Sequence, residues 1–157
     1  MKRTFTLAML STLLVLIGCE YDVPITAKPT REIEASLLGD WTSTDWTDKD
    51  CKDRMKARKY DESSYIVSNN GDLYRAWHSD VAGTPFLTVQ NLDSADRKYS
   101  YFVWSLSDGG KRLTLQRVNT DLIPNETRDS ATVVKILQAN SGSSQLFEDT
   151  ARFTRKK

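Results

Sequence analysis

The sequence predicts a mainly β protein, a small antiparallel up-and-down β-barrel with one helix before its last strand, and three observations predict it. Short runs rich in β-branched and aromatic residues follow one another through the second half of the chain. Tight-turn signals at Asn70-Gly71 and Asp108-Gly109-Gly110 join consecutive runs. A single stretch with helical spacing, residues 129–140, precedes the final strand-like run. Closing such a meander into a barrel removes its exposed edges.

Bulk properties set the frame. The chain has 157 residues, 39% apolar and 27% charged, which is the composition of a soluble domain with one core of ordinary size. The 22 basic residues include Lys2 and Arg3, so loss of a leader would leave 20 against 21 acidic ones. Near-neutrality argues against nucleic acid as a partner, because phosphates call for excess positive charge.

The elements are taken in chain order. Lys2 and Arg3 precede an uncharged, mostly apolar run over residues 5–18, the layout of a signal peptide (residues 1–18). At roughly 14 residues the run is shorter than the ~20 of a spanning helix. It ends in Leu16-Ile17-Gly18-Cys19, which resembles the lipobox of bacterial lipoproteins. The resemblance implies cleavage before Cys19, a diacylglycerol on its thiol and an acylated new N-terminus. Two or more acyl chains anchor a protein durably where one does not, so the implied partner is a membrane and the implied place the periplasmic side of the bacterial envelope. Glu20 is not the aspartate that by the same resemblance retains lipoproteins at the inner membrane, which favours the outer one.

Residues 19–36, with Pro24 and Pro29 among polar neighbours, read as the lipidated N-terminus and an extended tether, able to reach roughly 50 Å at ~3.1 Å per residue. Residues 31–38 have the composition of a short helix, with Ile33, Leu37 and Leu38 at helical spacing. The barrel domain then occupies residues 37–157. Its first strand opens at Leu38-Gly39-Asp40-Trp41. In residues 51–58 a two-residue period puts Cys51, Met55 and Ala57 on one face and Lys52, Arg54, Lys56 and Arg58 on the other. Cys51 is therefore read as a buried, inert thiol, a reactive or intermolecular thiol being the alternative. No second free cysteine exists to staple it once Cys19 is lipidated.

Further strands are expected over residues 64–68, 73–78, 85–92, 99–106 and 112–118. In residues 129–140, Ala131, Val133, Val134, Ile136 and Leu137 form the apolar face of a helix that Gly142 stops. Residues 145–154 return to strand composition, with Phe147, Ala151 and Phe153 assigned to one face.

Gly39-Asp40-Trp41 resembles the Gly-x-Trp motif of lipocalins. That resemblance implies a tryptophan closing one end of the barrel and an arginine near the chain end packed across its ring, with Arg152 the first candidate and Arg155 the second. The chain departs from the family in having no disulfide and no clear second motif in mid-chain. As a whole, and in residues 70–80 and 87–97 in particular, it is similar to small uncharacterised lipoproteins of Gram-negative bacteria, a resemblance that implies no activity.

No catalytic constellation is legible, and no enzyme, metal or cofactor is expected. His78-Ser79-Asp80 holds the residue types of a hydrolytic triad, but alternation sends Ser79 away from His78 and Asp80. His78 is also the sole histidine, so a multi-histidine metal site is excluded. Asp45, Asp48, Asp50 and Asp53 lack the glycine and glutamate of an EF-hand loop and sit among lysines. Two functions stay open. A lipocalin-like barrel would bind a lipid or other small apolar ligand, with Phe86, Tyr101, Phe102 and Trp104 as candidate lining residues, unless the interior is simply filled. Alternatively, the protein is a non-enzymatic interaction or accessory protein of an envelope complex, using the stripe of Lys52, Arg54, Lys56 and Arg58 toward anionic headgroups or an acidic partner. A void of several hundred Å³ would favour the first.

Overall fold

A computed structural model describes residues 21–44 and 54–156. Eight antiparallel strands follow one another around a closed up-and-down barrel, β1 pairing with β8 to complete it. They are β1 (Gly39–Ser43), β2 (Arg54–Lys59), β3 (Ser64–Asn69), β4 (Asp72–Val81), β5 (Thr84–Asn91), β6 (Tyr99–Ser107), β7 (Arg112–Val118) and β8 (Phe147–Arg155). One helix, α1 (Ser130–Ala139), lies between β7 and β8. The architecture is consistent with a lipocalin-like fold, and each strand expected from alternation is present. Asn70 (φ 52°) and Gly71 (φ 104°) make the tight β3–β4 turn in the left-handed region that this dipeptide tolerates. The carboxylate of Asp129 caps α1 by accepting from the Thr132 N–H at 2.8 Å.

Two apolar clusters share the barrel wall. The inner one includes Trp41, Met55, Tyr65, Leu87, Phe102 and Leu113. The outer one lies beneath α1, whose Val133 and Leu137 are fully buried against Phe86, Tyr101, Val118 and Ile123. Tyr21, Val23 and Ile25 complete this outer cluster and Ile33 packs against the inner one, so residues 21–36 are no free tether. Tyr21 exchanges backbone hydrogen bonds with Tyr99 at 2.8 and 2.9 Å, its ring stacks on Tyr101 at 4.5 Å, and Ile25 is wholly buried. Polar contacts pin the same segment: Trp77 Nε1 donates to the Thr26 carbonyl, and Ser130 Oγ to that of Pro24. Prolines fix an extended backbone equally in a solvated tether and in a docked strap, and the apolar side chains of Tyr21 and Ile25 decide for docking. The helix expected over residues 31–38 shrinks to a single 3-10 turn, Ala35–Leu37.

That turn closes one end of the barrel. Its Leu37 is buried over Trp41, whose Nε1 donates to the Leu37 carbonyl at 3.1 Å. The cation over the Trp41 ring is Arg155, 4.2 Å from the centroid, and not Arg152. Arg155 also donates to the carbonyls of Ser36, Leu38 and Gly110. Arg152 sits three residues earlier, opposite Thr114, and that odd offset turns its exposed side chain to the outer face of β8, away from the ring. Gly39 (φ 147°) lies against this guanidinium, where any Cβ would collide with it. Phe147 likewise departs from expectation. A register shift at Gln116/Arg117 puts it on the outer face near Phe86, while Ala151 and Phe153 stay inside.

Candidate functional site

The barrel interior holds a cavity of about 330 Å³. Its position follows from alternation: every second residue of each strand points inward, and the inward positions between the closed end and the opposite mouth carry short or apolar side chains. Ala57, Ala76 and Ala151 leave the room, and Met55, Leu87, Val89, Phe102 and Leu113 supply apolar walls. Toward the mouth, where β3 and β5 end and β6 begins, the lining turns polar but uncharged with Asn69, Tyr74, Asn91 and Ser100. The Asn69 amide oxygen is buried without a hydrogen-bond partner among the described residues, which leaves an acceptor for an incoming donor.

Of the four residues expected to line the interior, only Phe102 touches the cavity. Phe86 and Tyr101 point outward into the cluster under α1 and the strap, where the Tyr101 hydroxyl donates to the Val23 carbonyl. Tyr101 and Phe102 are neighbours on one strand and cannot share a face. Trp104 does belong to the inner cluster, one pleat nearer the closed end than Phe102, and forms part of the packed floor. The wall residues missed by the sequence, such as Leu87, Val89 and Leu113, obey the same two-residue period, the signal that could have found them.

Beneath the cavity, the Tyr65 hydroxyl accepts the Glu34 N–H at 2.5 Å and lies 2.8 Å from His78 Nε2. The donor in the Tyr65–His78 bond is set by the imidazole tautomer, and Nδ1 is buried without a hydrogen-bond partner among the described residues. Burial pushes Tyr65 up to about 12. Burial, reinforced by the Arg31 charge and opposed by Asp80 and Glu34, holds His78 below its usual value, so it is neutral in the fold. Its stabilising contribution is complete above the unfolded pKa of about 6.5 and is lost as pH falls below it. The urea midpoint is thus expected to drop between pH 7.5 and pH 5, and His78→Gln to lose most of that drop. Identical slopes for the two proteins would show that His78 is not the titrating group. The carboxylates held low by partners, Asp40 beside Arg58 and Asp80 beside Arg31, titrate below this window.

His78, Ser79 and Asp80 form no triad. Ser79 Oγ lies on the outer wall, 2.6 Å from Thr26 Oγ1 and 2.8 Å from Thr88 Oγ1, and Asp80 accepts from Arg31 and Thr30. Among the described residues no three His, Cys, Asp or Glu side chains converge on a metal position. Arg54, Lys56 and Arg58 line the outer face of β2, with Met55 and Ala57 inward. Arg58 is paired with Asp40 at 2.5 Å, so the stripe is partly neutralised. Cys19, Cys51, Lys52 and the aspartates Asp45, Asp48, Asp50 and Asp53 lie outside the described residues. No protein-family model matches the chain, and no curated protein or solved structure does.

Proposed function

We propose that this protein is a lipid-anchored, non-enzymatic barrel of the bacterial envelope that takes a small apolar ligand into its interior. The observation that carries the ligand is the cavity of about 330 Å³, walled by aliphatic and aromatic side chains and free of charge among its described lining residues. Ligand pockets start near ~300 Å³, and a water occupies about 30 Å³ of liquid, so the void suits on the order of ten non-hydrogen atoms. Apolar walls favour a hydrocarbon body, because transferring it from water releases roughly 25 cal/mol per Å². The polar ring at the mouth suits a head carrying a hydrogen-bond donor, which Asn69 can accept. The anchor rests on the lipobox at Cys19.

Decanol, whose hydroxyl supplies the donor, is a probe of fitting size, titrated calorimetrically. Binding with a negative heat-capacity change is expected. Ala76→Phe, which fills the void, should weaken it by about tenfold or more, some 1.4 kcal/mol, while the far-ultraviolet spectrum stays that of the wild type. Failure of the wild type to bind decanol, or full binding by Ala76→Phe, would remove the ligand from this reading.

A further inference from the structure

Where the strap begins has a consequence for how the anchored domain meets the bilayer. Cys19 precedes Tyr21 by two residues, and two extended residues span at most about 7 Å. Tyr21 is clamped beside Tyr99, the first residue of β6 and thus at the mouth end, by two backbone hydrogen bonds and the stack on Tyr101. Asp22 adds ion pairs to Lys98 and Arg128. From there the chain descends the outer wall to the closed end, passing His78 at Thr30 and Glu62 at Ile33. The ten residues of β4, at ~3.3 Å each and tilted by ~40°, give the barrel a height of about 25 Å. An anchor within about 7 Å of the mouth level is therefore far from the Trp41 end.

We infer that the mouth end of the barrel faces the lipid bilayer, which makes the rim around the cavity a membrane-contact surface and lets an apolar ligand pass between bilayer and cavity without crossing water. This rests on the proposed lipid anchor at Cys19. The rim chemistry fits such a partner. The polar lining at the mouth carries no charge to desolvate among its described residues, and Leu73 at the start of β4 is exposed there, as Tyr60 is at the closed end. Asp72 at the start of β4 and Asp93, Asp96 and Arg97 in the β5–β6 connection lie around the rim, at a level where headgroups can solvate them. Polar and charged groups at headgroup depth around an apolar entrance suit an interfacial surface.

The test uses the full-length, membrane-extracted lipoprotein with Cys51→Ser, carrying a fluorophore either at Leu73→Cys by the mouth or at Tyr60→Cys by the closed end. Each is reconstituted on phosphatidylethanolamine–phosphatidylglycerol vesicles bearing a headgroup nitroxide. Co-flotation with the vesicles, lost in Cys19→Ser, and quenching several-fold stronger at residue 73 than at residue 60 are expected. A Gly/Ser insert of about ten residues before Tyr21, with a mean reach of roughly 18 Å, should shrink that difference. Flotation with equal quenching, or with stronger quenching at residue 60, would overturn the orientation and leave the anchored binding protein standing. A wild type that does not float would overturn the anchor and the orientation together, whatever decanol binding shows.

Discussion

Trp41→Ala is expected to destabilise the domain by about 3–5 kcal/mol, the loss usual for a large buried aromatic. The indole is 1% exposed, seals the closed end beneath Leu37, gives its N–H to the Leu37 carbonyl and carries the Arg155 guanidinium on its face. Removing it leaves a void and also strands Arg155, which binds the carbonyls of Ser36, Leu38 and Gly110 from that position. Arg155→Ala should cost less, since its hydrogen bonds are half exposed and water can replace them. The two losses should couple by at least about 0.5 kcal/mol, as contacting residues do. Arg152→Ala, by contrast, should be additive with Trp41→Ala. Urea denaturation of the three single and two double variants reads all of this, and a coupled Arg152 with an additive Arg155 would refute the closure described.

Ile25→Ala is expected to cost about 2–5 kcal/mol, the range for truncating a fully buried aliphatic side chain. Ile25 has no exposed surface and packs in the cluster under α1 with Val81, Phe86 and Val133. A residue of a free tether would cost nothing. Lys28→Ala, at an exposed position of the same segment, serves as the comparison and should stay within about 0.5 kcal/mol of the wild type. Equal unfolding midpoints for the Ile25 and Lys28 variants would mean the strap is not part of the folding unit.

Both predictions fall where the sequence was only partly legible. The strands were readable because a two-residue period and turn dipeptides are local signals, and β7 occupies the span expected of it. The helix was equally local, with Asp129 as its cap and Val133 and Leu137 on its buried face. What alternation alone does not reveal is which face of a strand looks inward when both are buried. In β6 the outward Tyr101 and the inward Phe102 are both hidden, one by the strap and one by the barrel. Residues 21–36 looked like a linker because their polar side chains outnumber Tyr21 and Ile25, and the burial of those two depends on a groove made by distant residues from Val81 to Leu146. Phe147 changed faces through a bulge, which no pattern of hydrophobicity marks beforehand. The choice between Arg152 and Arg155 was legible in the alternation, since Arg155 shares the face of Ala151 and Phe153 while Arg152 falls on the other, and the pairing of Trp41 with Arg155 follows it.

The pairing of β1 with β8 places Trp41 opposite Arg155 and Ser43 opposite Phe153, so the sheet is sealed only by its two most distant strands. Contacts of that separation form late, because a long chain loop must first be closed against its entropy. Until the last strand arrives, β1 and β7 both present unpaired edges that can recruit another molecule. The closing residues lie in β8, the last of the eight strands to be made, so a growing chain cannot complete its barrel until β8 has been synthesised. Over that interval the unfinished sheet is the species most exposed to misassembly, and a chaperone that shields strand edges would act on it rather than on the finished fold.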